Sequence, residues 1–350
     1  MKQTRLLIIA PVPPPRGGVS IHIERFSHQL ELLGIVHEIL NESRIETSGF
    51  KHMRTISPLG YLKTVLQASH IHIHSSNCWV RLAHTTAGWI LRRRIIQTFH
   101  SSRGAIEALV SRACAALSDQ VIAVSADVAA QVWNRAIVAP AFLAPLATEF
   151  EIEPAVDDWI QRTKAKGKKL ISVSAFNTAQ FGEVDLYGID LILEAFADAA
   201  FRSEFGALIC ISVPAPRPER LECYRDAIKE SGLSEDVLIL VGQRPFLGVM
   251  SKSDVFVRPT NTDGDALSVR EALWLGVACA ASDAASRPRE ALLFRSRDLE
   301  DMKATIRKGA VTSPPRMRSE FLGIVLEAYK SSGIVTAVAP SAIVRRENER

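Results

Sequence analysis

From residue 257 the chain reads Val-Arg-Pro-Thr-Asn-Thr-Asp-Gly-Asp-Ala-Leu-Ser-Val-Arg-Glu-Ala-Leu: a strand end, a polar turn with a glycine, and a helix that runs to Gly276. Asp263 stands in the turn and Glu271 lies inside the helix. A turn acid beside the free N–H groups of a helix start, here Asp265, Ala266 and Leu267, can grip hydroxyls and phosphate oxygens together. Arg258, Arg270 and Glu271 surround the same strand end. A helix merely capped by Asp265 would explain one of these polar groups and leave the others without a reason.

Two further places carry chemistry. In Pro13-Pro14-Pro15-Arg16-Gly17-Gly18-Val19-Ser20 the paired glycines let a backbone approach a ligand, and the helix behind them offers N–H groups to an anion. Relief of crowding in a strand-to-helix turn explains the same glycines equally well, and no G-x-G-x-x-G is present. His100 ends the run Ile95–Phe99, at the ligand edge of a parallel strand, where it could hydrogen-bond a sugar hydroxyl or carry a proton. His70, His72 and His74 alternate along a strand and share a face. Without carboxylates or cysteines beside them they read as structural histidines rather than metal ligands.

These residues need parallel sheets to position them. Short apolar runs (Leu6–Ala10, His70–His74, Ile95–Phe99, Val121–Val124) alternate with amphipathic stretches such as Val19–Leu33, Ser102–Leu117 and Ala126–Trp133. That alternation implies a parallel sheet covered on both faces. A second series starts at Leu170–Val173 and continues through Ala207–Ser212, Val237–Val241, Val255–Val257 and Val277–Ala281. Its helices are Leu191–Ala199, Pro218–Ser231 and Leu267–Leu275. The expected organisation is an α/β chain with a Rossmann-like domain over 1–155, a linker over 156–168 and a second Rossmann-like domain over 169–315. A C-terminal helix over 316–335, able to pack back on the first domain, and a tail over 336–350 complete it. The length of 350 residues suits two domains.

Composition narrows the function classes. At 47% hydrophobic and 23% charged the chain is globular rather than disordered. Five scattered cysteines with no CxxC argue against a disulfide framework and for a reducing compartment. The net charge of +4 makes no case for nucleic acid, but it is uneven: residues 1–150 hold 15 Lys and Arg against 9 Asp and Glu, and the remainder 27 against 29. A basic first half suits an anionic surface or ligand, or a plainly solvated face. Leu6–Ala10 is too short for a signal-peptide core and is stopped by prolines, and no apolar run approaches 20 residues. A cytoplasmic protein is expected, with contact on the membrane face through Arg92-Arg93-Arg94 and the apolar Trp89-Ile90-Leu91 before them, or with those arginines simply solvated.

The segment from Asp263 to Glu271, followed by Ala272, Gly276 and Val277, resembles the donor motif of glycosyltransferase family 4, retaining sugar-nucleotide enzymes of GT-B fold. Their pattern is two acids eight apart around a Gly-containing turn, then E-A-x-x-x-G-x-P. Gly17-Gly18 is similar to the family's N-terminal glycine loop, His100 to its histidine near the transferred sugar, and Val121-Ile122-Ala123-Val124-Ser125 to its v-i-a-v-S strand. The family's Arg and Lys on the donor diphosphate are absent here, where the chain reads Ser174-Ala175-Phe176-Asn177 and Leu186-Tyr187-Gly188-Ile189-Asp190. The first acid is Asp263 rather than Glu. The chain therefore reads as a variant branch in which Arg258, Arg270 and Arg287 replace that pair.

The resemblance implies two doubly wound domains facing across a cleft that holds a nucleotide sugar. Glu271 would hold the ribose, Asp263 the sugar hydroxyls, and His100 would hydrogen-bond the sugar without serving as an obligatory base. It implies front-face attack with retention and no cofactor. Asp263-Gly264-Asp265 spells DxD but belongs to the donor motif, so no metal is expected. The implied acceptor is a saccharide or lipid-linked saccharide of bacterial surface polysaccharide synthesis. Two alternatives stay open: a nucleotide-sugar epimerase of the same fold, which would turn over donor without acceptor, and a catalytically degenerate donor-binding subunit, motivated by the missing Arg/Lys pair.

Overall fold

The structure, a computed structural model, describes residues 5–101, 104–133, 135–242, 244–263 and 266–334. The chain divides into two compact units, 1–144 with 319–350, and 145–318. In the first, the elements run β1 (Leu6–Ala10), α1 (Gly18–Leu32), β2 (His37–Asn41), β3 (Lys51–His52), α2 (Pro58–Gln67), β4 (His70–Ile73), α3 (Cys78–Ile90), β5 (Arg94–Phe99), α4 (Ala105–Ala116), β6 (Gln120–Ala123), α5 (Ala126–Val132) and β7 (Ile137–Val138). Their strands form a parallel sheet in the order β3-β2-β1-β4-β5-β6-β7.

Each residue of β1 is buried, as a parallel strand covered on both faces must be. Ile23, Phe26 and Leu30 recur at helical spacing on α1 and pack with Leu6 and Ile8 of that strand. The serine of the v-i-a-v-S phrase serves the helix that follows it, since the Ser125 hydroxyl accepts the Val128 N–H and caps α5.

The second unit continues with α6 (Pro154–Ala165), β8 (Lys169–Asn177), the hairpin β9 (Gln180–Phe181) and β10 (Val184–Asp185), α7 (Ile189–Ala197), α8 (Ala199–Glu204), β11 (Phe205–Val213), α9 (Pro218–Glu230), β12 (Val237–Val241), α10 (Leu247–Ser251), β13 (Val255–Arg258), α11 (Leu267–Leu275), β14 (Ala278–Ser282), β15 (Leu292–Phe294) and α12 (Leu299–Gly309). Its parallel sheet has the order β12-β11-β8-β13-β14-β15. The final helix, α13 (Phe321–Ser331), returns to the first unit, where Phe321, Val325 and Tyr329 pack with Ile23 and Phe26.

Residues 156–168 are not the linker expected of them. Pro154 begins α6 at a position where a missing N–H costs nothing, and Val156, Trp159, Ile160 and Thr163 line one buried face. The apolar members of that face pack with Leu170 and Leu208, so the helix belongs to the core of the second unit. Among the described residues, no helix is long and apolar enough to cross a membrane.

The strand order reverses between β1 and β4 in one sheet and between β8 and β13 in the other. At such a switch point adjacent crossovers diverge to opposite faces and leave a crevice at the carboxyl ends of the strands. Arg258 ends β13 beside one of these places, and His74 follows β4 beside the other.

Candidate functional site

In the second unit, Arg258 ends β13 and Asp263 stands five residues on. Arg258 Nε donates to Asp263 Oδ2 at 2.9 Å and its Nη1 to the Ser174 carbonyl on β8 at 2.9 Å. Arg287, from the turn after β14, donates from Nη1 to the same Asp263 oxygen at 3.0 Å, from Nη2 to Thr260 Oγ1 at 3.0 Å, and from Nε to the Ser282 carbonyl at 3.3 Å. Asp263 is thus clamped between two guanidiniums. Burial works to raise its pKa, but Arg258 and Arg287 outweigh it and hold the carboxyl below its ordinary range. Together the three groups carry a formal charge of +1, beside the N-terminus of α11.

The surrounding backbone is fixed by close approach. Gly188 has φ +68°, and a Cβ there would stand 2.2 Å from the Pro259 carbonyl oxygen. Buried Asp185 accepts the N–H groups of Tyr187 and Ile189 at 2.8 and 3.2 Å and the Tyr224 hydroxyl, while its carbonyl accepts the Asn261 amide. The turn over 186–190 is here organised around an acid, Asp185. The Tyr187 ring lies under the Arg258 guanidinium, 5.2 Å from its centroid.

Asp263, Arg258 and Arg287 come together; Arg287 sits behind Asp263 with its side chain only 1% exposed, holding the acid rather than presenting itself. Arg258 is the more accessible of the two, at 12%. Glu271 is buried in the second turn of α11, and Arg270 reaches Met317 Sδ at 3.8 Å. Ala266 is the N-cap and Leu267 the first residue of α11; Asp265 lies outside the described residues.

In the first unit, Gly17 is the N-cap of α1 at φ −125°, and a Cβ on Gly18 would meet nothing within 4 Å. Neither strain nor crowding within the described residues demands glycine at 18, which leaves room for something else to approach. His100 follows β5, and its Nε2 lies 3.1 Å from Nδ1 of His74, which follows β4. His72 lies between Tyr329 Oη and Thr98 Oγ1 at 2.7 and 2.8 Å, and His70 meets the Ser332 carbonyl at 2.8 Å. Those two are structural, as expected. Burial lowers the pKa of His72 and of His100 to about 3, so both are neutral near pH 7.

Sequence reasoning missed His22 on α1, whose ring centroid lies 5.2 Å from that of His100. It also missed Glu42, which accepts the Ser75 hydroxyl at 2.7 Å and faces His84 Nε2 at 3.1 Å, with Tyr61 on the other side of that imidazole at 2.8 Å. Glu42 and Ser75 each lie just beyond a strand, and a rule of searching every strand end would have found both. Of the three arginines expected at a membrane, Arg93 is tied to the carbonyls of Leu91 and Ala68 and Arg94 to Asp119 at 2.9 Å.

No protein-family model matches the chain, and no curated protein does. Solved structures do. Anabaena HepE in complex with UDP and glucose superposes with TM-score 0.67 at 13% identity, covering 95% of this chain and 100% of that one. A glycosyltransferase from Rickettsia africae gives 0.66 at 12% identity over 95% and 99% of the two chains. Sucrose-phosphate synthase from Thermosynechococcus elongatus gives 0.59 at 18% identity over 87% and 89%. At these identities the likeness establishes the fold: the chain has the GT-B architecture of two doubly wound α/β units.

Proposed function

We propose that the protein is a glycosyltransferase that moves a sugar from a nucleotide-sugar donor to a saccharide or lipid-linked saccharide, with retention. The observation that carries this reading is the Arg258–Asp263–Arg287 clamp beside the N-terminus of α11, at the switch point of its sheet. The acid is oriented by two cations, the cluster keeps one positive charge, and the helix start adds N–H dipoles, which together suit a sugar hydroxyl and a diphosphate. Arg258 meets the donor phosphates, Arg287 positions Asp263, and Glu271 holds the ribose. The bond from the anomeric carbon to the phosphate oxygen breaks, the bond to the acceptor oxygen forms on the same face, and the departing phosphate takes the acceptor's proton. Each well-placed donor on that growing charge contributes about 3 kcal/mol, so no metal is required for the transfer. His100 hydrogen-bonds the sugar.

Support for this reading also comes from the neighbours in fold, one of which holds UDP and glucose. A thermal-shift screen of UDP-, GDP- and ADP-sugars tests it. One donor should raise the melting temperature, by about 2.7 kcal/mol of added stability at a hundredfold excess over Kd. E271A should lose that response, and an unchanged shift in E271A would remove Glu271 from the donor site. A second reading, an inert donor-binding subunit, is favoured by the commitment of all three Arg287 nitrogens to protein groups. It predicts the same shift with no transfer to any acceptor.

A peripheral position at the cytoplasmic membrane face is part of the proposal. On the adjacent helices α3 and α4, Trp79, Trp89, Ile90, Ile106 and Leu109 are all exposed, an apolar set with Arg92 close by in sequence. Such a surface suits the headgroup region of an anionic bilayer.

A further inference from the structure

His22 on α1, and His74 and His100 just beyond β4 and β5, form a nearly equilateral triangle. Their ring centroids are separated by 5.6 Å (His22–His74), 5.2 Å (His22–His100) and 5.4 Å (His74–His100). One ring nitrogen from each lies within 4.8 Å of the others. His22 and His74 are 1% and 0% exposed, and Nε2 of each has no hydrogen-bond partner among the described residues. Two orphaned nitrogens on neighbouring buried rings are unusual, because buried polar atoms are nearly always satisfied.

The 3.1 Å contact between His74 Nδ1 and His100 Nε2 is a hydrogen bond within the triangle, which a bound ion would replace. His22 Nδ1 lies 3.2 Å from the Ala141 carbonyl. An N–H donated there fixes the tautomer and leaves Nε2 as the lone-pair atom, the outer contact that metal-ligating histidines characteristically make.

We infer that His22, His74 and His100 form a three-histidine site for a divalent ion of the zinc class, with one coordination position left for water or another oxygen ligand. Imidazole nitrogens suit zinc, cobalt, nickel or copper and not magnesium or calcium, which take oxygen. In a tetrahedral zinc site such nitrogens stand about 3.3 Å apart, and His74 Nδ1 and His100 Nε2 are 3.1 Å apart. The site lies where α1 meets the ends of β4 and β5, at the switch point of the first sheet, and the ion would tie these elements together. The inference stands on the first unit alone and is independent of the transferase reading. With the ion bound, only one His100 nitrogen remains for other partners.

The test uses the full chain, stripped of metal and titrated with Co(II). One equivalent should bind and show the visible bands of a four-coordinate cobalt site. H22Q and H74Q should each weaken binding at least tenfold, while H28Q, outside the triangle, should bind as the wild type does. X-ray absorption on the zinc-loaded wild type, which needs no variant to fold, should count three imidazoles and no sulfur. Thiolate ligation, fewer than three imidazoles, absence of four-coordinate bands, or undiminished binding in folded H22Q and H74Q would overturn the site.

Discussion

Asp263 gathers in one side chain what distinguishes this site. A carboxylate at 13% exposure is costly alone, yet two guanidiniums make ionisation favourable. Its folded pKa lies below the unfolded value, so the stability it contributes is present above the ordinary carboxylate range and lost as pH falls through the folded pKa. D263N should therefore be less stable than the wild type at pH 7, and the gap should narrow once the pH drops below about 4. Urea denaturation across that range checks the sign; a gap that stayed constant would mean Asp263 is not ionised in the fold. Asp263 and Arg258 were legible as chemistry from residue type and position. That Arg287 is spent behind the acid was not, because which donor reaches which acceptor depends on where the turn after β14 brings its side chain.

Two glycines show how an element reveals its purpose. Gly188 is required by the fold: its φ of +68° and the 2.2 Å approach of a Cβ to the Pro259 oxygen forbid a side chain. G188A should cost about 2 kcal/mol or more. Gly18 has open space and opens α1, so G18A should leave stability unchanged or raise it by up to about 1 kcal/mol. If the loop receives a ligand, transfer by G18A should nevertheless fall at least tenfold; full activity would return Gly18 to a mere turn residue. On the outer helices, exposed Trp89 (58%) and Ile106 (69%) offer a comparable contrast. W89E and I106E should reduce co-sedimentation with anionic vesicles severalfold without changing turnover of a soluble acceptor. Within the three-arginine run, Arg93 also satisfies carbonyls and Arg94 also pairs with Asp119.

The division into two compact units gives the donor proposal a spatial test. A nucleotide lacking its sugar should slow amide exchange in β13 and α11 of the second unit and leave β4 and β5 of the first unaffected. Protection spread evenly over both would count against placing the nucleotide with Glu271. Much of this organisation could be read in advance. Runs such as Leu6–Ala10 and Val255–Val257 are apolar without alternation, the mark of strands buried on both faces, and the stretches between them repeat at helical spacing. Local composition thus determined the parallel α/β character, the turn chemistry around Asp263 and the position of His100 at a strand end. The polar ends of α6 concealed its buried stripe of Val156, Trp159 and Ile160, and a linker was expected where a core helix stands. The return of α13 to the first unit, the clamp on Asp263 and the meeting of His22 with His74 and His100 all join residues distant in the chain. Strand order decides which of those become neighbours, and strand order is set by the packing of the completed sheets rather than by any stretch of sequence.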